Sequence, residues 1–513
     1  MNGKLCSGRR TGELPDRAVI DIGSNTVRLV VYAGSPRAPE VYLNEKVSAR
    51  LGRDLSTSGR MPLKAIECAL EALGRYATIL ADLDVTDVQT VATAAVRDAA
   101  NGTAFLERVS ALGLSPRLLT GEEEAQTSAM GVMGAFPGAR GTVADLGGGS
   151  LELVMIEGGA CREGASLPLG TLRLPALREG GPAAFGKAVA SEMARAGWAA
   201  AHPGPLYMVG GTWRALAAFA MHKSSYPLTD PHGLRMAPDE AERIARKIER
   251  MAPEELSPIP GIAASRATGL PDAAAMLRVV LNDIRPDGLV FSSWGLREGL
   301  LYARLGEGAR AQDPLLASVA QFCEPRGGSV TLAAMIAGWT SDIAGIDGNS
   351  RDGRDQDAGG ERLRLAATLL ALAAARLEPN MRQRHAYDWA MDKRWLGLDP
   401  EGRARIAAAL LGFCGKPALP ADLSLLASEQ ALRQGVAWGL AMRLCRRLGA
   451  GSRVSLLTSS LRLREGQLVL WVDAGRAQLA AGPVEGDLKA LAQWLGLEHT
   501  LKVGEPEEVA AEA

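Results

Sequence analysis

The sequence predicts an α/β fold of two similar lobes, followed by a mainly α-helical region and a small C-terminal α+β element. Three observations predict it. First, Val19-Ile-Asp21-Ile-Gly23-Ser24-Asn25-Thr26-Val-Arg-Leu29-Val30 aligns without a gap on Val143-Ala-Asp145-Leu-Gly147-Gly148-Gly149-Ser150-Leu-Glu152-Leu153-Val154, at an offset of 124 residues. A duplication of that kind implies two copies of one structural unit. Second, strand patterns alternate with helical periodicity through the first 300 or so residues, the mark of an α/β lobe. Third, Ala/Leu-rich helical stretches dominate from about Gln312 onward.

Taken in order, the apolar run from Ala18 ends in a turn at Gly23 and resumes at Val27, the pattern of a hairpin with a tight glycine loop. Helical periodicity covers residues 63–83 and 121–133, and strands are expected at 85–92, 141–145 and 151–156. Beyond the lobes, helices are expected at 318–339, 362–376, 402–411, 430–448 and 488–497. Residues 454–464 and 468–473 alternate about Glu465-Gly466-Gln467 as a hairpin, and the acidic tail 504–513 is expected to fray. The Asp/Gly/Arg-rich stretch 347–360 fits a calcium loop only loosely, because Arg351 and Asp352 occupy its last two pattern places, so a mobile surface loop is expected. The implied domains are 1–136 and 137–308 for the lobes, 309–450 for the helical region and 451–513 for the hairpin and final helix.

The 513 residues supply apolar material for several cores, and hydrophobic and charged contents of 47% and 22% are those of a soluble protein. No apolar run is long enough to span a bilayer, and residues 1–17 lack the apolar segment of a signal peptide. The 6 cysteines are scattered, without a C-x-x-C pair, so reduced thiols in a cytoplasmic protein are expected. A net charge of −1 points to neither nucleic acid nor a membrane surface. Local charge does cluster: Arg433, Arg443, Arg446, Arg447, Arg453, Arg462 and Arg464 follow one another with no acidic residue between. A solvated helix face with the outer side of a hairpin and a polyanion track both fit that run.

The duplicated loops carry the chemistry. Glycine at a hairpin turn lets several backbone N–H groups converge on one anion. Ser24, Asn25, Thr26 and Ser150 add side-chain donors suited to phosphate oxygens, while Asp21 and Asp145 sit where a carboxylate holds Mg²⁺ or its waters. Thr120-Gly121-Glu122-Glu123-Glu124-Ala125 reads as a capped helix start, which accounts for two of the three glutamates. A third, facing the cleft, could take a proton from attacking water. Glu152 follows the second loop, where strand alternation can return it to a metal or leave it exposed. Thr93 and Arg97, at a strand-to-helix passage, and Gly210-Gly211-Thr212, in a second strand-then-glycine segment, suit phosphate contacts or ordinary loop chemistry.

Residues 18–26, 92–97, 120–125, 144–152, 210–212 and 291–299 together resemble the exopolyphosphatase / guanosine pentaphosphate phosphohydrolase family, in the superfamily of actin, sugar kinases and chaperone ATPases. The resemblance implies actin-like (ribonuclease H-like) lobes, Glu124 as catalytic base, Mg²⁺ on Asp145 and Glu152, and phosphate contacts from both loops and Arg97. It further implies linear polyphosphate as substrate, shortened from its ends, with guanosine pentaphosphate or tetraphosphate as further ligands. Long members carry an HD-like helical domain and pair as homodimers around a basic channel, for which Arg443, Arg446, Arg447, Arg462 and Arg464 are the candidates here. This chain has no His-Asp doublet, and past residue 310 its only histidines are His385 and His499, so a second metallohydrolase site of the usual kind is not expected there. Two other readings stand beside hydrolysis: an ATP-dependent kinase of the same superfamily, and a non-catalytic sensor of polyphosphate or guanosine penta/tetraphosphate.

Overall fold

The computed structural model describes residues 14–343 and 358–504. Cys6, residues 347–357 of the Asp/Gly/Arg-rich stretch and the tail beyond residue 504 lie outside the described residues. The chain divides into two compact units, Met1–Pro314 and Leu315–Ala513.

The first unit holds two sheets. One comprises β1 (Pro15–Ile22), β2 (Val27–Ala33), β3 (Glu40–Val47), β4 (Asp87–Ala92) and β5 (Pro116–Leu118), in the order β3-β2-β1-β4-β5. The other comprises β6 (Gly141–Leu146), β7 (Leu151–Glu157), β8 (Ala160–Leu167), β9 (Pro205–Val209), β10 (Arg235–Met236) and β11 (Gly288–Ser292), in the order β10-β11-β9-β6-β7-β8. In each, three antiparallel strands are followed by a parallel neighbour, β4 beside β1 and β9 beside β6. The sequence repeat is therefore a repeat of topology, the duplicated actin-like arrangement. Register repeats too: Asp21 lies opposite Arg28, and Asp145 opposite Glu152, at positions related by the same offset.

Both faces of the first sheet are covered, which is why Ala18, Val19, Ile20 and Ile22 are all apolar and buried. One face packs on the helix Leu63–Asp82 through Ile66, Leu70, Leu73, Tyr76 and Leu80, spaced three or four residues apart. The other carries Val19, Val30, Tyr32 and Val91 against Leu300 and Leu301 of the helix Leu296–Ala303, which follows β11 of the second sheet. Reciprocally, the helix Gly121–Ala135, which follows β5 of the first sheet, sets Ala125, Ala129 and Val132 against Val143, Val154, Val209 and Val290 of the second.

The two helices thus exchange lobes, and they meet through glycines. A Cβ on Gly131 would lie 2.2 Å from the Gly295 carbonyl oxygen, and one on Gly299 would lie 1.8 Å from that of Thr127. Backbone meets backbone there. This exchange ties the two sheets together and sets the cleft between them.

The second unit is mainly helical: Pro314–Cys323, Val330–Trp339, Ala358–Ala374, Pro379–Met391, Pro400–Phe413, Glu429–Gly449, Arg453–Leu457 and Gly482–Leu495. A small sheet of β12 (Ser459–Arg464), β13 (Gln467–Asp473) and β14 (Glu498–Gly504) accompanies them, with β14 parallel to β13. Two expectations are corrected. The single helix expected at 318–339 is two helices, because a 3₁₀ turn at Glu324–Arg326 contains Pro325 and ends on Gly327 at φ 81°. The hairpin begins at Ser459 rather than Val454, because Ser452 caps a helical turn by accepting from the Ser455 N–H. Its turn, Glu465 at φ 49° and Gly466 at φ 77°, is the two-residue kind with both residues left-handed. Among the described residues no helix is long and apolar enough to cross a membrane.

The glycine contact of the exchanged helices is testable. Gly299→Ala must push a methyl into the Thr127 carbonyl, and overpacking of this kind costs about 1–3 kcal/mol. Urea denaturation should show a lower midpoint for Gly299→Ala, and an unchanged midpoint contradicts the packing described.

Candidate active site

Both hairpin loops close with the same bond, Gly23 N–H to the Thr26 carbonyl and Gly147 N–H to the Ser150 carbonyl, each 3.0 Å. The loops also abut, since a Cβ on Gly148 would lie 3.1 Å from Ser24 Cβ and one on Gly149 2.8 Å from Ser24 Oγ. Asp21, Gly23, Ser24, Asn25, Thr26, Thr93, Gly147, Gly148, Gly149, Ser150, Gly210, Gly211 and Thr212, all named from the sequence, line one cleft. One role is corrected: the Gly23 N–H is already spent on Thr26, so it is not a free donor. The N–H groups of Ser24, Asn25, Gly148 and Gly149 have no protein acceptor among the described residues, which is the arrangement an anion would complete.

Four carboxylates share this cleft: Asp21 and Asp145 near the ends of β1 and β6, Glu152 on β7 and Glu124 in the first turn of its helix. The acidic run divides by geometry. Thr120 N–H donates to Glu123 at 2.8 Å and Glu123 N–H to Thr120 Oγ1 at 3.1 Å, a reciprocal cap. Glu122 accepts from Gln126 at 3.0 Å. Glu124, one position on, turns into the cleft, its side chain 13% exposed. Arg97 Nη1 donates to it at 3.1 Å and to the Leu119 carbonyl at 3.1 Å. Arg97, expected as a phosphate contact, is not among the residues lining the cleft and holds Glu124.

Burial raises the Glu124 carboxyl to about 7; Arg97 opposes the rise, and Asp145 and Asp21 add to it. Burial likewise raises Asp145, against the hydrogen bond it accepts from Ser128, and raises Asp21, against Arg297 and Arg28. Glu152, which accepts from Ser166 at 3.0 Å, is pushed well above the ordinary carboxyl range by burial and then by Glu124 and Asp145. Carboxylates crowded in this way suit a divalent cation. Among the described residues no three His, Cys, Asp or Glu side chains stand together at ligand spacing. Asp145 and Glu152, paired across β6 and β7, are oxygen donors of the kind Mg²⁺ takes, with water and phosphate oxygens completing its shell.

Arg28, Arg214, Arg266 and Arg297 also line the cleft, and the sequence reading missed all four as site residues. Arg28 was discoverable, because strand pairing puts it opposite Asp21, where the second copy has Glu152. Arg297 lies in the stretch 291–299 quoted for the resemblance, with Nη1 3.4 Å from Asp21. Arg266 gives no local signal; its guanidinium lies against the Gly211 backbone, where a Cβ would be 2.0 Å from Cζ. Burial lowers the pKa of Arg28 and of Arg266, and Arg297 lowers both further. For Arg297 burial acts downward too, but Glu298 and Asp21 outweigh it.

Residues 30–307 match the Ppx/GppA phosphatase family. The chain belongs to that family. It is 25% identical over 315 residues to the guanosine-5′-triphosphate,3′-diphosphate pyrophosphatase of Vibrio campbellii, which takes in 58% of this chain and 61% of that protein. The chain thus spans about three fifths of the length of the Vibrio relatives it matches. It is 27% identical over 305 residues to exopolyphosphatase 1 of Mycobacterium tuberculosis, covering 56% of this chain and 87% of that one. The crystal structure of an exopolyphosphatase from Cytophaga hutchinsonii shares the fold, with a TM-score of 0.51 at 23% identity, over 56% of this chain and 96% of that one. The family match takes in the second glycine loop, Asp145 to Ser150, whereas the first, Asp21 to Thr26, lies just ahead of it.

The arginine-rich stretch belongs to the second unit. Arg443 and Arg447 each place Nε 2.9 Å from an oxygen of Asp487, and Arg462 lies 3.0 Å from Asp342. Acids distant in sequence thus offset part of a run that contains none. Arg446 lies beside Arg382 as well as Arg443 and Arg447, and burial followed by these like charges lowers its pKa. Arg464 is exposed on β12.

The raised Glu124 pKa has a consequence for stability. Folding favours its neutral form, so that contribution is complete below 4.5 and is lost as pH rises through about 7. Glu124→Gln is always neutral and keeps it. In metal-free buffer the unfolding free energy of Glu124→Gln should exceed that of the wild type by a gap that opens between these pH values, on the order of 1–3 kcal/mol. A gap that is the same at pH 5 and pH 8 contradicts the environment described.

Proposed function

We propose that this chain releases orthophosphate from the ends of linear polyphosphate, with the terminal phosphate of guanosine pentaphosphate as a second substrate. The observation that carries the reading is Glu124: a carboxylate poised near neutrality, held by Arg97, in the same cleft as two abutting glycine loops with unspent N–H groups. Glu124 orients a water and takes its proton as the water oxygen attacks the terminal phosphorus. The bridging P–O bond opens, its electron pair leaves with the shortened chain, and orthophosphate departs. Ser24, Asn25, Gly148 and Gly149 donate backbone N–H groups to the transferring oxygens. Arg28, Arg214, Arg266 and Arg297 neutralise the polyanion. Asp145 and Glu152 would hold Mg²⁺, which when bound offsets phosphate charge.

A kinase of the same superfamily would share the loops. The base favours hydrolysis, because Glu124 serves a water in the cleft. The helical unit is read as a guide for the polyanion and as the contact of a homodimer, with Arg443, Arg446, Arg447, Arg462 and Arg464 along the guide.

Glu124→Gln should bind polyphosphate as the wild type does while phosphate release falls by about 10²–10⁴-fold, the usual span of general-base catalysis. Equal turnover in that variant removes Glu124 from the mechanism.

A further inference from the structure

A chain of alternating charge leads away from Glu124. Arg97 Nη1 is 3.1 Å from Glu124, Arg97 Nε is 3.6 Å from Asp98 Oδ1, and Arg173 Nη2 is 2.7 Å from Asp98 Oδ2. Arg97 and Asp98 end the short helix after β4, in the first lobe, whereas Arg173 follows β8, in the second. The chain therefore crosses between the lobes. Neither Asp98 nor Arg173 lines the cleft.

Arg173 sits on a strap that clamps the second glycine loop. Thr171 N–H donates to the Gly147 carbonyl at 3.1 Å and Leu172 N–H to the Gly148 carbonyl at 2.9 Å. The strap lies so close that a Cβ on Gly170 would be 2.2 Å from the Gly149 carbonyl carbon and from the Ser150 nitrogen. These bonds and this contact tie the strap to the loop, so Arg173 stands on the segment that supports the loop.

We propose that Asp98 and Arg173 are positioning residues for the base, coupling the seating of the second phosphate loop to the grip of Arg97 on Glu124. When Arg173 neutralises Asp98, Arg97 is left to Glu124, as the shorter of its two distances shows. When the strap withdraws, Asp98 is unbalanced and draws Arg97 toward itself, and Glu124 loses its orienting partner. The base is then held for water attack only when the loop is seated to receive the phosphate. This inference rests on the assignment of Glu124 as base.

The sign of each substitution follows. Arg173→Gln leaves Asp98 unbalanced and should lower kcat for phosphate release from polyphosphate by about tenfold, with KM changed less than about twofold, as expected when orientation rather than binding is lost. Arg173→Lys keeps the charge and should retain most of the turnover. Asp98→Asn removes the competitor for Arg97 and should lose less than Arg173→Gln does. The deciding variant is Asp98→Asn combined with Arg173→Gln: with no carboxylate to draw Arg97 away, kcat should recover to the level of Asp98→Asn alone, a non-additivity expected of coupled charges. A purely structural role for Arg173 predicts no such recovery, and thermal midpoints of all the variants control for folding. The proposal is overturned if Arg173→Gln turns over within twofold of wild type, or if the double variant is as slow as Arg173→Gln. Glu124→Gln assayed alongside separates the two claims: if it is inactive and the cycle is additive, only the positioning chain fails; if it is active, the base assignment itself fails.

Discussion

The burial of four carboxylates together, Asp21, Glu124, Asp145 and Glu152, is the constraint on which the rest of this cleft depends. Buried carboxylates placed together resist ionisation, and each is raised above its ordinary range chiefly by burial. The protein offsets that cost locally, with Arg297 on Asp21, Ser128 on Asp145, Ser166 on Glu152 and Arg97 on Glu124. The arginines face the same difficulty with opposite sign, since Arg28 and Arg266 are weakened by burial and by Arg297. A polyanion with a divalent cation supplies what each set lacks.

Duplication explains how so many charges come to one place. Each lobe contributes one Asp-bearing strand, one glycine loop and one return strand, and the opposed loops enclose a single cleft. The copies have diverged at the residue opposite the Asp, which is Arg28 in the first and Glu152 in the second. One copy thereby presents a cation to the cleft and the other a second carboxylate. The exchanged helices, meeting at Gly131, Gly295 and Gly299, keep the two halves at the spacing this division of labour requires.

Much of this was legible in the sequence because it was local. The glycine loops and the strands on either side of them announce themselves by period and turn residues, and the offset between copies shows that they are paired. The capping box at Thr120 and Glu123 is likewise a short-range pattern, whereas it was the family resemblance that singled out Glu124. What was not legible was long-range. Arg266 approaches Gly211 across 55 residues of sequence, and no local period marks such a contact. Arg97 reads as a phosphate contact from the sequence, and only the fold shows Glu124 beside it, while the bond from the Gly23 N–H is seen only once Thr26 folds back upon it. In the second unit, Pro325 with Gly327 was a visible break that the apolar run around it obscured, while Asp487 and Asp342 neutralise arginines far from them in sequence.

The central claim is that water attacks the terminal phosphorus in this cleft. The most direct test is a single turnover of polyphosphate by the wild-type protein with Mg²⁺ in ¹⁸O-labelled water, reading the isotope in both products by mass spectrometry. The mechanism predicts one ¹⁸O in the released orthophosphate and none in the shortened chain. Label in the shortened chain, or orthophosphate released without label, contradicts it.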